Sequence, residues 1–301
     1  MNYSLRHLRY FVAAAEHGAI SAGAKKLNVA QPSVSAAIGH LEHAFGVELF
    51  VRKPSDGVKL TPAGTSLLKE ARLLLSHAAD FDAIAANLAD AISGEIHVAA
   101  FINIAPVYLA AIIRSFKNRY PSVTFRAFAG NQAEVLAAIR SGQFEVAITF
   151  DLALTDEFKI DIVHSVPPQL VVPSGHALAR AENASLRDVA DEPFVILDLP
   201  HSRDYFFSLF RSADMRPKEV IEVGSFEAVR AFVGNGFGYS LLNLVPKNNA
   251  TYDGTQVRYI PLTDDVRPLK VCCVRLRNAT SRRACAAFVE HVQSFFASGR
   301  A

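Results

Sequence analysis

The chain has 301 residues, half of them hydrophobic and a fifth charged, with a net charge of +2. These values predict two or three well-packed domains and exclude a general nucleic-acid coat, so any basic surface must be local. The three cysteines, Cys272, Cys273 and Cys285, show no CxxC spacing, and no apolar run reaches the ~18 residues needed to span a bilayer. A disulfide framework, a zinc site and a membrane anchor are therefore not expected, and no other metal or cofactor is predicted. Met1 leads directly into an amphipathic helix with no leader pattern, which fits a reducing cytoplasm.

The first helix carries Leu5, Leu8, Phe11, Val12 and Ala15 at spacings of three and four and stops at Gly18. Ser21 is the expected cap of a second helix that runs to about Leu27. A third helix begins near Pro32, where a missing N–H is harmless, and ends at Gly46. Its inner stripe is Val34, Ile38, Leu41 and Phe45. At 100° per residue this turns Pro32, Ala36, Gly39, His40 and His43 outward, with Ser33 and Ser35 on the flanks. Residues 49–53 and 58–61 read as two short strands around Pro54-Ser55-Asp56-Gly57. Three helices and a hairpin predict a winged helix-turn-helix over residues 1–61. That segment has seven basic and four acidic side chains, a net +3 that exceeds the charge of the whole chain. The bases Lys25, Lys26, Arg52, Lys53 and Lys59 fall where phosphates flank a helix in the major groove.

The run from Leu5 to Gly18, then Ala24-Lys-Lys-Leu-Asn-Val-Ala-Gln-Pro-Ser-Val-Ser35, Leu41-Glu42, Gly46-Val-Glu-Leu-Phe50 and Leu60-Thr-Pro-Ala-Gly64 resembles the LysR-type transcriptional regulator family. The resemblance implies a bacterial regulator whose third helix reads double-stranded promoter DNA. Three positions depart from the family pattern. Ala30 stands where Ser or Thr is usual and loses a cap of ~1 kcal/mol. Gly23 replaces the usual Ala at a helical cost of up to ~1 kcal/mol. Ala36 stands where many members carry Arg, so the outer face lacks a long bidentate base reader. Hydrogen bonds to bases are then expected from Gln31, Ser33 and Ser35 and a thymine-methyl contact from Ala36, with Pro32 and His40 also at the DNA and wing and DNA shape supplying the rest.

Thr61-Pro62 opens a long helix, expected over residues 62–92. Leu67, Ala71, Leu74, Ala78, Phe81, Ala85, Leu88 and Ile92 step by four and three, a heptad seam. Its ~45 Å length exceeds what a 61-residue domain covers, so pairing with a second copy is expected. The resemblance implies an antiparallel linker-helix dimer, tetramers built from such dimers, and RNA polymerase as a further candidate partner. Ser93-Gly94 breaks the helix.

Residues 93–301 alternate strand and helix, which predicts parallel sheets covered on both faces. Two lobes are expected, lobe I over about 93–166 and 267–301 and lobe II over about 167–266, with crossovers near 151–168 and 260–268. Gly94-Glu-Ile-His-Val, Tyr120-Pro121, Leu170-Val-Val-Pro173 and Gly236-Phe-Gly-Tyr-Ser-Leu-Leu242 sit where LysR-type effector domains carry similar residues. This implies a periplasmic-binding-protein-like fold used as a small-molecule sensor. Ligands in such sheets sit at strand carboxyl ends. Those ends offer Phe101, Ile102, Asn103, Asn131, Phe150, Asp151, His201, Ser202, Arg203 and Ser225. Free N–H groups at the following helices favour an anion, so a carboxylate effector is expected, with His201, Arg203 and Arg230 as counter-charges.

Three rival functions are weaker. No GxSxG, HExxH, P-loop or GxGxxG occurs, so an enzyme is not expected. A thiol redox sensor is the main alternative, but Cys272 and Cys273 lie within a predicted buried strand. A transport binding protein would not carry the amino-terminal domain.

Overall fold

The computed structural model describes residues 3–53, 57–86, 92–279 and 282–298. The amino-terminal head is built from α1 (Leu5–His17), α2 (Ile20–Lys26), α3 (Gln31–Phe45) and a hairpin of β1 (Phe50–Lys53) and β2 (Gly57–Leu60). Leu8, Phe11, Ala24, Val34, Ile38 and Leu41 form its core. The Ser4 side chain accepts the His7 N–H to cap α1, and Gly18 and Gly46 take the left-handed conformation that ends α1 and α3. Asn28 (φ 52°) supplies the same conformation in the turn before α3. The cap of α2 differs from expectation: Ala19 occupies it, and Ser21 lies inside the helix. Ala30 caps α3 with no side-chain bond.

Gly23 is the more informative departure. A Cβ there would lie 2.8 Å from the Ala14 nitrogen and 2.9 Å from the Ala13 carbonyl carbon. The residue lets α2 press directly on α1, so its helical cost is offset by close packing.

The long helix α4 (Pro62–Ala86) opens on a Thr61 cap, whose hydroxyl accepts the Gly64 N–H at 2.9 Å. Its first turns belong to the head, since Leu68 and Ala71 are buried in the head core. Further along, Leu74 and Phe81 are 42% and 72% exposed. Leu88 lies outside the described residues.

Lobe I is a five-stranded sheet in the order β4-β3-β5-β12-β6. Its strands are β3 (Gly94–Phe101), β4 (Val123–Gly130), β5 (Val146–Phe150), β6 (Phe158–Val166) and β12 (Leu269–Leu276). The first three are parallel, and β12 runs antiparallel to both β5 and β6. One face packs on α5 (Ala110–Arg119, entered through a π-turn at Ala105–Leu109) and α9 (Arg283–Ala297), through Ile112, Phe116, Phe288 and Val292. The other face packs on α6 (Gln132–Arg140) through Val135, Leu136 and Ile139.

Lobe II holds the sheet β10-β7-β11 and the parallel pair β8-β9. Its elements are β7 (Gln169–Pro173), β8 (Phe194–Leu197), α7 (Ser202–Ser212), β9 (Val220–Val223), α8 (Phe226–Gly234), β10 (Ser240–Leu242) and β11 (Val257–Pro261). Two strands differ from expectation. Residues 158–166 form edge strand β6 rather than connecting chain, and 257–261 form β11. The crossovers accordingly shorten to 167–168 and 262–268.

Candidate functional site

The exposed face of α3 carries Gln31, Pro32, Ser33, Ala36, Gly39, His40 and His43, while Ser35 is half-buried. This is the face the periodicity predicts, because Val34, Ile38 and Leu41 turn fully inward. Lys25 and Lys26 project from α2, and Lys59 is exposed on β2. Arg52 and Lys53 lie on β1, but their side chains and the turn at 54–56 lie outside the described residues. The wing is fixed to the helices by two links. Glu42 on α3 accepts the backbone N–H of Leu49 at 2.9 Å and that of Phe50 at 3.4 Å. The Val58 N–H donates to the Gly18 carbonyl at 2.9 Å. The imidazoles of His7 and His40 meet edge to face at 4.9 Å. Partial desolvation, then the neighbouring His40 and Arg6, push the His7 pKa down.

Between the lobes lies a small void of about 20 Å³, lined by Phe101, Asn103, Phe150, Ser202, Tyr205, Phe206, Phe226 and Asn243 among others. Phe101 and Phe150 pack at 5.1 Å, so both close the sheet core and face the void. Four predicted cleft residues therefore meet there: Phe101, Asn103, Phe150 and Ser202. Ile102, Asn131, Asp151, His201, Arg203 and Ser225 do not line it.

Most of these six have other work. Asn131 caps α6 in a reciprocal box with Glu134, and Ser225 caps α8 by accepting the Ala228 N–H. Asp151 pairs with Arg267 and accepts the Lys270 N–H at 2.8 Å, which fastens the second crossover to β5. Arg203 is neutralised by Asp198 at 3.1 Å and Glu222 at 2.5 Å. Arg230 is buried against Glu227 and the carbonyls of Asn248 and Ala250. His201 is exposed, with a φ of 66°. Arg203 and Arg230, two of the three expected counter-charges, are thus engaged elsewhere.

Sequence reasoning missed Tyr205, Phe206, Phe226 and Asn243. Asn243 directly follows β10, so the strand-end rule used for the other candidates would have found it. Its Nδ2 donates to the Val166 carbonyl at 2.9 Å and to the Tyr205 hydroxyl at 2.8 Å. That hydroxyl donates in turn to the Arg267 carbonyl at 3.0 Å. One relay therefore spans both crossovers. The Asn243 Oδ1 is buried without a hydrogen-bond partner.

Cys272 and Cys273 point to opposite faces of β12, one packed with α6 and one with α9. Burial pushes the Cys272 thiol up to about 12 and raises Cys273 as well. Neither is a ready thiolate.

Comparison with known proteins agrees with this geometry. Residues 5–65 match the bacterial regulatory helix-turn-helix protein, lysR family, and residues 89–297 match the LysR substrate binding domain. The HTH-type transcriptional regulator YnfL of Escherichia coli (strain K12) is 31% identical over 88% of this chain and 89% of its own length. The crystal structure of HinK, a LysR family regulator from Pseudomonas aeruginosa, is 35% identical, covers 98% of both chains and superposes with a TM-score of 0.67. A full-length OxyR structure from Pseudomonas aeruginosa shares the fold at a TM-score of 0.78 and 20% identity, covering 97% of this chain and 95% of its own. A winged head, a long connecting helix and a two-lobed sensor, matched end to end, place this chain in the LysR family of DNA-binding transcriptional regulators.

Proposed function

We propose that residues 1–61 read promoter DNA through Gln31, Ser33 and Ser35 near the start of α3. Ala36 then lies against a thymine methyl, and Lys25, Lys26, Arg52, Lys53 and Lys59 hold phosphates. The single observation that supports this reading is the exposed face of α3, polar at its amino end, with Ala36, Gly39 and two histidines rather than long basic side chains beyond. A gel-shift series with Gln31→Ala and Ser33→Ala tests it. Sequence discrimination should fall about tenfold per residue, a few-kcal/mol base contact at most. Unchanged discrimination would sink the assignment.

Residues 62–92 join two copies through α4, supported by the exposed Leu74 and Phe81, and dimers pair further into tetramers. Residues 93–301 sense a small molecule between the lobes. Its lining suits a flat apolar body held by Phe101, Phe150, Tyr205, Phe206 and Phe226. A carboxylate would face Ser202 at the start of α7, while a donor on the effector would satisfy the Asn243 Oδ1. The void is about the size of one water, so binding requires the lobes to part. A thermal-shift screen of aromatic acids against their neutral amides tests the charge requirement. Equal stabilisation by both sets would remove the carboxylate. The protein would act on the bacterial nucleoid, with RNA polymerase as a partner at activated promoters. No catalytic step is assigned to any residue, and no helix among the described residues is long and apolar enough to cross a membrane.

A further inference from the structure

Helix α6 runs between two places that the fold keeps apart. It follows β4 and leads into β5, both parallel to β3. Its amino end therefore lies at the carboxyl ends of those strands, beside the inter-lobe void, and its carboxyl end lies at their amino ends. Its 9 residues give it a length of about 13 Å. At the amino end, the fully buried Gln132 is bonded on both of its polar atoms. Its Nε2 donates to the carbonyls of Phe150 at 3.1 Å and Leu152 at 2.7 Å, and its Oε1 accepts the Thr149 hydroxyl at 2.5 Å. Phe150 is the β5 residue that lines the void. The amino end of α6 is thus fastened to one wall of the cleft by bonds that buried groups cannot exchange for water.

The carboxyl end of α6 meets the head. Ser141 ends the helix, and its carbonyl accepts Arg72 Nη1 at 3.1 Å. Arg72 belongs to α4, its side chain is 12% exposed, and its Nη2 reaches Glu16 of α1 at 3.3 Å. The next residue, Gly142, has a φ of 65°, and a Cβ there would come within 3.3 Å of the Lys69 carbonyl oxygen and 3.8 Å of Leu73. Lobe I and the backbone of α4 therefore approach closely at this turn. The dock is small and imperfect. A cavity of about 530 Å³ opens beside it, between Val12 and Glu16 of α1, Leu73 of α4 and Phe144 of lobe I. The Arg72 Nε is buried without a hydrogen-bond partner, and the Arg126 charge opposes that of Arg72. An unsatisfied buried donor and a like charge offset part of what the two Arg72 bonds contribute, so the dock is poised for release.

We propose, resting on the reading of the inter-lobe cleft as the sensing site, that α6 is the transmission element of this regulator. Its buried Gln132 follows the cleft wall, and its carboxyl end sets whether the head is docked through Arg72. An effector that parts the lobes displaces Phe150, and the Gln132 bonds to the Phe150 and Leu152 carbonyls carry that shift into the helix. Helix shifts of ~1–2 Å are the usual scale of such switches, and close-packed interiors pass them on. A shift of that size at the far end exceeds the slack in the 3.1 Å bond from Arg72 to Ser141. The two states are then a docked head, with Arg72 holding Ser141 and Glu16 together, and a head released from lobe I. Gln132 and Arg72 are positioning residues in this scheme and act through the helix between them.

Hydrogen exchange on the full-length protein, with no ligand added, tests this in three variants. Gly142→Ala pushes α4 away from lobe I and leaves the cleft residues unchanged. Gln132→Glu removes both donors to the cleft wall and keeps an acceptor for Thr149. Thr149→Val removes one bond to Gln132 at nearly constant shape. Exchange protection of α4 residues 69–75 should fall about tenfold in Gly142→Ala, about fivefold in Gln132→Glu and about threefold in Thr149→Val, with β3 residues 96–100 within about twofold of the parent. The double variant Gln132→Glu, Gly142→Ala should lose no more α4 protection than Gly142→Ala alone, since both open the same dock. Coupling is reciprocal, so Gly142→Ala should also lower protection at residues 150–152. Unchanged α4 protection in Gln132→Glu would overturn the proposal, and Thr149→Val decides in its place if Gln132→Glu loosens β3. Losses that multiply in the double variant would overturn it as well. No effector enters this measurement, so a thermal-shift screen without a binder would remove the sensing reading and leave the link from α6 to the head standing.

Discussion

One of the links that hold the wing to the DNA-binding head is a single carboxylate, and removing it gives a calculable effect. Glu42 accepts the Leu49 N–H at 2.9 Å, and the Phe50 N–H at a weaker 3.4 Å. Leu49 is fully buried and Phe50 is 6% exposed, so water replaces the lost acceptor poorly. In Glu42→Ala one strong bond disappears and one buried donor is orphaned, a cost of about 2 kcal/mol. Glu42→Gln keeps an oxygen acceptor but not the charge, and should cost about 1 kcal/mol, since charged bonds are roughly twice as strong as neutral ones. For a head of about 60 residues, 2 kcal/mol lowers its melting point by roughly 8–16 °C. It also corresponds to about a thirtyfold loss of exchange protection at the Leu49 and Phe50 amides. Hydrogen exchange resolved to single amides is the decisive assay. The Thr61 N–H to Leu49 carbonyl bond lies on the opposite side of the strand and should keep its protection. If the Leu49 and Phe50 amides in Glu42→Ala exchange within twofold of the parent, Glu42 does not hold the wing and the reasoning fails.

Gly23→Ala should destabilise the head by about 1–3 kcal/mol in urea unfolding, because the added Cβ meets α1 backbone at 2.8 Å. Helix propensity alone predicts the opposite sign, so a stabilised variant would show that α1 and α2 separate freely. Peroxide should leave DNA affinity unchanged within twofold, since burial keeps the Cys272 thiol protonated up to about 12. A peroxide shift abolished by Cys272→Ala would restore the redox alternative. The depressed His7 pKa makes the folded head bind its proton less readily than the unfolded chain does. Head stability should therefore be fully present above about pH 6.5 and fall as pH drops through the folded value. Melting curves over that window should flatten in His7→Gln; an unchanged slope would assign the pH effect to another group.

The head was legible from sequence because its signals are local: stripe spacing, glycine stops and Thr61-Pro62 all act within a few residues. The strand–helix alternation that marks the two-lobed fold was legible for the same reason. Strand β6 was not. Its partner β12 lies more than a hundred residues later, and Ile160 and Ile162 remain exposed on the sheet edge, so no local burial pattern announces it. Gly23 misled because its purpose lies in the approach of a neighbouring helix, which propensity does not encode. At the cleft, strand-end position identified Phe101, Asn103, Phe150 and Ser202. It could not distinguish them from Asn131 and Ser225, which serve as helix caps. Arg203 could not be set aside as a counter-charge because its partner Glu222 becomes a neighbour only when β9 pairs with β8, whereas the Glu227–Arg230 pair is a local i,i+3 contact on α8 that the sequence already shows.

The relay from Val166 through Asn243 and Tyr205 to Arg267 ties together the two places where, among the described residues, the chain passes between the lobes. Two parallel tethers clamped at one level leave a single pivot axis, as two hinges do for a door. Such a clamp would suppress translation and twist and leave opening as one coordinate. Chemically different effectors would then differ in how far they turn that pivot, and not in which direction. A regulator built this way grades its output along one line, so a competing ligand that wedges the lobes apart acts as a counterweight on the same axis.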